Sequence, residues 1–582
     1  MLQQLSTLDA SFAFMETKAS PMHIGSLYVY DRGGKHASGL TEDEVLRFYE
    51  ERLHLWSFSR QRLVRVPMDL DYPYWIEDAE FDLEYHVRRI GLPSPGDWAT
   101  LEQVAARIFS RPLDLTRPLW EVYVIEGVRA PGIVNDGFAV LTKTHHAAVD
   151  GTSGMHMMAT LHSSEPKADP IPAPERPWRP DATPSDAELL MRSGVNNAMQ
   201  PLRFAQALGR NLQGIAAGLG ASGGQVGMLG GLARAGSQVG EQVGKLTAQT
   251  MRVVPATRFN GEVSGHRVIG GHTVALSDFK GPRAAVPGAT VNDVVLTICG
   301  GAIGRYLYAK KELPGDPLIA MAPVNVRRPG DMRAGNQVSA LFVAIGTQIA
   351  DPLERLAGIR SATATSKAVN NAVGARAMTD FSQFVPAVTA ALAGRLSSAM
   401  AQAPNPAFNV SITNVPGPQE PIYSMGCELK AQLGLGPITH GMGLIMPVTS
   451  YCGQITIGFT SCRDMIPDPD LFVDCLADAA AELFSASARA LEASGAADAA
   501  GAASKPKPKA KTKRKTKATA KDKTATKTEA KAKAKTKTKA KSKAKAKAKP
   551  AAAAMTGADE ASVAEVPPMV PVAGQGEAGG DS

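Results

Sequence analysis

A strand, a sharp turn and a helix are predicted in close succession around one short motif, His145-His146-Ala147-Ala148-Val149-Asp150-Gly151. Residues 137–144 are apolar and β-branched and follow a turn-like Asn-Asp-Gly sequence, which predicts a strand. From Thr152 onward the pattern predicts a helix. The two histidines therefore stand where a buried strand ends, a position that can hold an imidazole rigidly and leave one ring nitrogen free.

Histidine is the side chain whose ordinary pKa best suits proton transfer near neutral pH. Neighbouring residues of a strand point to opposite faces, so both histidines face one small substrate only if the strand ends between them. We therefore predict His146 as the general base and His145 as its supporting residue. Asp150 is expected to hold the loop, and Gly151 to allow a positive φ or a close backbone approach. A pair of satisfied core histidines is the alternative interpretation of so short a motif.

Eight further motifs lie in order along the first 453 residues. They are Leu5-Ser6-Thr7-Leu8-Asp9-Ala10-Ser11-Phe12, Pro21-Met22-His23-Ile24-Gly25, Pro118-Leu119-Trp120-Glu121, Asn292-Asp293-Val294-Val295-Leu296, Pro323-Val324-Asn325-Val326-Arg327, Gly335-Asn336-Gln337-Val338-Ser339, Asn414-Val415-Pro416-Gly417-Pro418 and Ser450-Tyr451-Cys452-Gly453. Together with the histidine motif, this ordered set resembles the bacterial wax ester synthase/acyl-CoA:diacylglycerol acyltransferase family over about residues 1 to 490. Asn325 stands where a serine is expected, and Thr413 where serine often precedes Asn-Val-Pro-Gly-Pro. Neither departure removes a group that the chemistry needs.

The resemblance implies an O-acyltransferase that moves a fatty acyl group from acyl-CoA to diacylglycerol or to a long-chain fatty alcohol. By that resemblance His146 takes the hydroxyl proton as the alcohol attacks the thioester, in a direct transfer without an acyl-enzyme. Acyl-CoA is then a co-substrate, and no bound cofactor is expected. The family's likeness to chloramphenicol acetyltransferase implies an α/β fold of two similar domains with an active-site tunnel between them.

Asn292 matches the family's Asn-Asp motif and is a candidate for polar support of the developing oxyanion. Asparagine is also a favoured helix N-cap, and an apolar helical run follows it, so capping is an equal alternative. Asp293 is expected to be structural, at a helix start that favours negative charge. Pro118-Leu119-Trp120 is expected to pack beside the pocket and to take no part in the chemistry.

The charge of the chain is unevenly distributed. Residues 501–582 contain 21 Lys and Arg against 7 Asp and Glu, whereas residues 1–500 contain 42 basic and 48 acidic residues. Lysine occupies nearly every second position of residues 505–549, with almost no apolar side chain larger than alanine, which predicts disorder. Such a tail can bind anionic lipid or, as a less favoured partner, nucleic acid phosphates. A solvated tail that only aids solubility is the simpler alternative.

Four regions are predicted: an N-terminal acyltransferase domain at 1–180, a helical, Gly/Ala-rich crossover at 181–261, a C-terminal acyltransferase domain at 262–490 and the tail at 491–582. Helical spacing is found at 42–56, 101–109, 291–307 and 353–369, and strand patterns at 81–87, 341–346, 408–413 and 454–459.

Five scattered cysteines show no zinc-like spacing, so no metal is predicted and the thiols are expected to be reduced. Neither a secretory signal nor a run of about 18 apolar residues is found. We expect a cytoplasmic protein that is peripheral at the inner membrane face or on lipid droplets. Two alternatives stay open: a non-enzymatic lipid-droplet or nucleic-acid-associated protein that keeps the fold, and acyl transfer to another lipid hydroxyl.

Overall fold

The computed structural model describes residues 2–36, 39–149, 157–167, 169–180, 182–199, 254–325, 338–373 and 406–503, with four positions between 387 and 392. The predictions for Asp150 and Gly151, for the middle of the crossover and for the lysine-rich tail fall outside these residues. The described part up to residue 492 belongs to one compact unit.

The first of two six-stranded sheets is built mainly from the N-terminal half. Its strand order is β12-β13-β2-β7-β6-β5. The strands are β2 His23–Asp31, β5 Val87–Gly91, β6 Trp120–Ala130, β7 Val134–His145, β12 Tyr423–Ser424 and β13 Cys427–Leu435. All neighbours in this sheet pair antiparallel except β5 and β6. A segment of the C-terminal half, β12 and β13, thereby completes the sheet of the N-terminal half.

The second six-stranded sheet comes entirely from the C-terminal half, in the order β10-β9-β11-β14-β15-β8. Its strands are β8 Arg267–Ala275, β9 Ile319–Asn325, β10 Val338–Ala344, β11 Val410–Val415, β14 Leu444–Tyr451 and β15 Gln454–Cys462. A small third sheet contains β1 Gln3–Gln4, β4 Tyr74–Glu77 and β3 Gln61–Val64.

Helices cover the faces of the two large sheets. They are α1 Thr7–Met15, α2 Glu42–Glu50, α3 Leu83–His86, α4 Trp98–Phe109, α5 Lys280–Ala285, α6 Val291–Ala309, α7 Pro352–Val373 and α8 Pro469–Ala503, with unlabelled helices at 157–161 and 186–199. Short 3-10 helices lie at Leu53–Leu55, Pro67–Asp69, Arg258–Asn260 and Leu276–Phe279. In the described part of the chain, no helix is long and apolar enough to cross a membrane.

The first sheet buries both faces, and β7 shows how its sequence achieves this. Phe138 and Val140 join one apolar cluster with Trp120, while Ala139 and Leu141 join a second cluster on the opposite face. The alternation follows from the two-residue period of a strand. Residues 138–141 of β7 are therefore all apolar, as is typical of strands covered on both sides.

Glycine at position 25 lets β2 approach β7 beside the histidine motif. A Cβ atom at Gly25 would lie 2.3 Å from the carbonyl oxygen of Thr142, closer than any side chain can be placed. Gly25 pairs with Lys143 in the ladder, two residues before His145. The glycine of the Pro-Met-His-Ile-Gly motif thus has a packing role close to the site.

The predicted α/β class is confirmed, and it contains two six-stranded sheets. The helices predicted at 42–56, 101–109, 291–307 and 353–369 correspond to α2 with the following 3-10 turn, α4, α6 and α7. The strand predicted at 81–87 is wrong, because α3 occupies most of it and β5 begins only at Val87. Asp82 caps this short helix by accepting from the backbone N–H of Glu84, and His86 bonds the carbonyl of Trp120 with its Nδ1. The local cap and the bond to β6 together outweigh the alternating pattern.

Candidate active site

The end of β7 is fixed by three backbone hydrogen bonds that set the positions of both histidines. The N–H of His145 donates to the carbonyl of Leu119 at 2.9 Å, which continues the ladder to the segment before β6. The N–H of His146 donates to the carbonyl of Met22 at 2.8 Å, and the N–H of Ala148 donates to the carbonyl of His145 at 2.9 Å. The strand thus ends between the two histidines.

His145 is fully buried and holds the turn with both ring nitrogens. Its Nδ1 accepts from the backbone N–H of Ala147 at 3.1 Å, so that nitrogen carries no proton. The proton of the neutral ring therefore lies on Nε2, which donates to Oε2 of Glu16 at 2.9 Å. With both nitrogens engaged in this way, His145 holds the turn to the end of α1.

Glu16 is a site residue that the sequence did not reveal. The oxygen that accepts from His145 also accepts from the backbone N–H of Met22 at 2.9 Å. Because Met22 in turn accepts from His146, one carboxylate ties the start of β2 to the end of β7. A single acidic residue 129 positions before its partner has no local pattern that would single it out.

His146 is held in an apolar environment against α1. Its ring stacks on Phe12, with centroids 4.0 Å apart and planes 14° apart. Its Nδ1 is buried and has no hydrogen-bond partner among the described residues. Burial, followed by the nearby His145, lowers the pKa of His146 to about 4. The imidazole is therefore neutral at physiological pH, the form that can accept a proton.

Removing the Phe12 ring should raise the pKa of His146. In the wild type the charged imidazolium is poorly solvated, whereas in the variant water can reach the ring and stabilise that charge. We expect the wild-type His146 resonance in a histidine-labelled NMR titration to stay unchanged between about pH 5.5 and 8. In Phe12→Ala it should titrate within that range, with a pKa at least about two units higher. The spectrum of His146→Ala assigns the resonance.

Phe12→Leu is the matched control, since leucine keeps apolar cover over the ring. Its titration should resemble that of the wild type. An unchanged His146 pKa in Phe12→Ala would show that the stacked ring does not exclude water from the imidazole.

A cavity of about 80 Å³ lies on one face of the first sheet. Thr142 and Thr144 of β7 line it, and so does Val149 of the histidine motif. The remaining lining is largely apolar and consists of Ile24, Gly25, Ser26, Tyr28, Met157, Met158, Leu161 and His162. His162 joins the cavity wall to β2, since Tyr30 Oη lies 2.7 Å from its Nε2.

The opposite face of the same strands carries a buried ion pair. Lys143 Nζ donates to Oε2 of Glu121 at 3.1 Å and to the carbonyl of Arg111 at 2.8 Å. Tyr123 Oη donates to the same carboxylate oxygen at 3.1 Å. The Lys143 side chain is wholly inaccessible, and its burial lowers its pKa. Lys143 lies two residues before His145, so this ion pair fixes β7 against β6 close to the histidine motif.

The Asn-Asp motif lies at the start of α6, and of the two roles left open for Asn292, that of helix cap is wrong. Thr290 is the cap: its hydroxyl accepts from the N–H of Asp293, whose carboxylate accepts from the N–H of Thr290 at 2.8 Å. The structural role expected for Asp293 is confirmed. Asn292 is half-buried, and no hydrogen bond to another described residue involves its side chain. The packing role expected for Trp120 is confirmed, because it is fully buried and its indole N–H donates to the carbonyl of Ser59.

Comparison with known proteins gives a consistent result over most of the chain. The wax ester synthase/diacylglycerol acyltransferase catalytic domain matches residues 5–295, and the WS/DGAT C-terminal domain matches residues 334–484. A protein of Mycobacterium tuberculosis strain CDC 1551, provisionally named a diacylglycerol O-acyltransferase, is 31% identical over 486 residues, covering 84% of this chain and 91% of that protein. A similarly named Mycobacterium bovis protein is 30% identical over 479 residues, covering 81% and 89%. The solved wax ester synthase/diacylglycerol acyltransferase from Marinobacter aquaeolei VT8 shares 25% identity at a TM-score of 0.56, covering 84% of this chain and all of that chain.

Proposed function

Because the chain belongs to the wax ester synthase/diacylglycerol acyltransferase family and is therefore an acyltransferase, we propose that it moves a fatty acyl group from acyl-CoA to a lipid hydroxyl. Diacylglycerol as acceptor gives triacylglycerol, and a long-chain fatty alcohol gives a wax ester. The observation that carries the proposal is the neutral, apolar-stacked His146 at the end of β7, positioned by backbone bonds on both sides.

In the proposed reaction, His146 accepts the proton of the acceptor hydroxyl while the oxygen attacks the thioester carbonyl. The tetrahedral intermediate collapses with cleavage of the carbon–sulfur bond, and the protonated imidazole returns its proton to the leaving thiolate. The products are an ester and free coenzyme A, and no acyl-enzyme forms. His145 contributes by holding the turn, through its bonds to Ala147 and Glu16.

The low pKa of His146 has a consequence for this reaction. Because its pKa is low, His146 is always unprotonated and available in the free enzyme. For the same reason it is a weak base and attracts the proton of the acceptor hydroxyl only weakly. The developing negative charge on the attacked carbonyl would stabilise the imidazolium and raise its pKa when it is needed. Asn292 is proposed as polar support for that oxyanion, and Asp150 and Gly151 as the residues that shape the loop after His146.

The cavity beside the motif supports a fatty substrate. Its apolar wall, formed by residues such as Ile24, Met157 and Leu161, suits hydrocarbon. At about 80 Å³ it is smaller than the roughly 300–1,000 Å³ of pockets that hold drug-sized ligands. We propose that it takes only the segment of the chain nearest the ester carbonyl.

The lipid acceptors suggest where the enzyme works. We propose that it acts at the inner membrane face or on lipid droplets, with the lysine-rich residues 505–549 attracting anionic lipid. Each lysine near such a surface contributes about 1 kcal/mol.

The proposal is tested by incubating the purified full-length protein with labelled palmitoyl-CoA and offering diacylglycerol and hexadecanol in parallel. We expect labelled triacylglycerol or wax ester together with an equal amount of free coenzyme A thiol. The ratio of the two products identifies the preferred acceptor. Absence of both products and of thiol release, in protein shown to be folded, would contradict acyl transfer to these acceptors.

A further inference from the structure

Residues 16–22 connect α1 to β2 and hold both histidines of the motif; they are called the base loop below. Nε2 of His145 donates to Glu16 at the start of the loop, and the N–H of His146 donates to the carbonyl of Met22 at its end. The N–H of Met22 donates to the Glu16 carboxylate, so the two ends of the loop are bonded to each other. A displacement of the base loop would therefore move both histidines.

The middle of the base loop is bonded by an arginine from the second sheet. Arg267 is the first residue of β8, and its Nη2 donates to the carbonyl of Ala19 at 2.6 Å. Its Nη1 donates to the carbonyl of Ser264, in the segment that enters β8. Because a guanidinium presents several donors in one rigid plane, this single side chain joins the base loop to the start of β8.

A third contact joins the same arginine to the end of α4. The backbone N–H of Arg267 donates to the hydroxyl of Ser110, directly after this helix, at 3.0 Å. The carbonyl of Phe109, the last residue of α4, accepts from Nε2 of His23 at 2.8 Å. His23 is the first residue of β2 and pairs with His145 in the ladder to β7. Arg267 thus lies between the base loop and the helix end that holds the start of β2.

The guanidinium of Arg267 is buried, and no ion pair joins it to a carboxylate of the described residues. The residue is 5% exposed, and its burial lowers its pKa to about 10, so the group stays charged at neutral pH. Burying a cation without a counter-ion costs free energy, which a neutral donor at the same place would not require. The charge therefore indicates a role for the bond to the base loop beyond the packing of β8.

A second buried arginine offers a comparison. Arg355 on α7 is 6% exposed, and burial also lowers its pKa. It too donates to backbone carbonyls, among them that of Ile349 at 2.6 Å. Ile349 lies in the loop between β10 and α7, so Arg355 has the burial and the kind of bonds of Arg267 but holds a different loop.

We propose that Arg267 is a positioning residue for acyl transfer: by holding the base loop, it fixes His146 where the acceptor hydroxyl is deprotonated. It acts through the loop and not on the substrate. A misplacement of about 1 Å at the reacting groups can cost about 10²-fold in rate, so a contact outside the site can control turnover. The inference rests on the proposed function, because it takes His146 as the base.

The test compares Arg267→Met with the matched control Arg355→Met in the full-length protein. Methionine keeps part of the apolar stem and removes the donors, so both variants leave buried carbonyls unpaired. With palmitoyl-CoA and the preferred acceptor, we expect kcat to fall by about 10–100-fold in Arg267→Met, while KM for palmitoyl-CoA changes by less than about threefold. Arg355→Met should lose a similar amount of stability in urea and keep the kcat of the wild type.

Arg267→Lys is the conservative variant, and it decides the question if Arg267→Met does not fold. Lysine keeps the charge but presents a single ammonium, which cannot reproduce the planar fork that reaches Ala19 and Ser264 together. We expect its kcat to lie between those of the wild type and the methionine variant, about three- to tenfold below the wild type.

A second readout does not depend on turnover. The ring of His146 stacks on Phe12, so its proton resonances in histidine-labelled protein report on the geometry of this stack. We expect these resonances to move in Arg267→Met and to stay in place in Arg355→Met. If the wild type showed no acyl transfer, the proposed function would be contradicted, and this readout would still decide whether Arg267 positions His146.

A wild-type kcat in folded Arg267→Met, or in Arg267→Lys if only that variant folds, would overturn the proposal. An equal loss of kcat in Arg267→Met and Arg355→Met would overturn it too, since the effect would then come from a general loss of stability.

Discussion

Replacing His146 with alanine is expected to lower the rate of acyl transfer by about 10²–10⁴-fold, the usual contribution of a positioned general base. Without the imidazole, the acceptor hydroxyl must attack while still carrying its proton. Binding of acyl-CoA should change little, since the ring acts on the acceptor. The measurement is kcat with palmitoyl-CoA and the preferred acceptor, together with the affinity for acyl-CoA.

Folding is expected to survive this change, because His146 is half-buried and its backbone bond to Met22 does not depend on the side chain. Glu16→Gln is a matched control at the carboxylate that bonds His145 and Met22. Its amide oxygen can still accept from Met22 and from His145, so activity should fall by less than about tenfold. Retention of wild-type activity by His146→Ala would remove His146 from the chemistry.

The largest effect on stability is expected for Glu121→Ala, which should lower the free energy of unfolding by about 3–5 kcal/mol. The change leaves Lys143 buried without its counter-ion, close to Arg88 and Arg111. The pKa of Lys143 should fall further in the variant. All five tryptophans lie between residues 56 and 178, so tryptophan fluorescence during urea unfolding reports on the half that contains the pair.

The double variant Glu121→Leu with Lys143→Met separates lost charge pairing from lost packing. Replacing both members of a buried pair by apolar side chains is often neutral or stabilising, so we expect most of the lost stability to return. A loss below about 1 kcal/mol in Glu121→Ala alone would indicate that water reaches Lys143.

The fold class and the central motif could be predicted from sequence because their signals are local. The strand that ends at His145 contains an apolar run at residues 138–141, and His146 opens the turn after it. The alternation at residues 81–87 led to a wrong strand prediction because the same side chains also fit a helical turn. The cap at Asp82 favours the helix. Thr290 caps the helix in place of Asn292 because the Asp293 carboxylate bonds the hydroxyl of Thr290.

Contacts between distant parts of the chain could not be predicted in this way. Glu16 meets His145 only because α1 and β2 are folded against the end of β7. Likewise, nothing in the sequence of β13 indicates that it pairs with β2, about 400 residues away, rather than with its neighbours in the C-terminal half. Both contacts depend on the topology of the fold, which no short segment of a single sequence encodes.

The late arrival of β13 has a consequence for synthesis on the ribosome. Strand β2 lies inside the finished sheet, between β7 and β13. Until residues 427–435 have been translated, one side of β2 is an open edge with unpaired backbone groups, which favours aggregation. We therefore expect nascent or truncated chains that end before β13 to recruit chaperones, and the N-terminal half to remain insoluble unless the C-terminal half is produced with it.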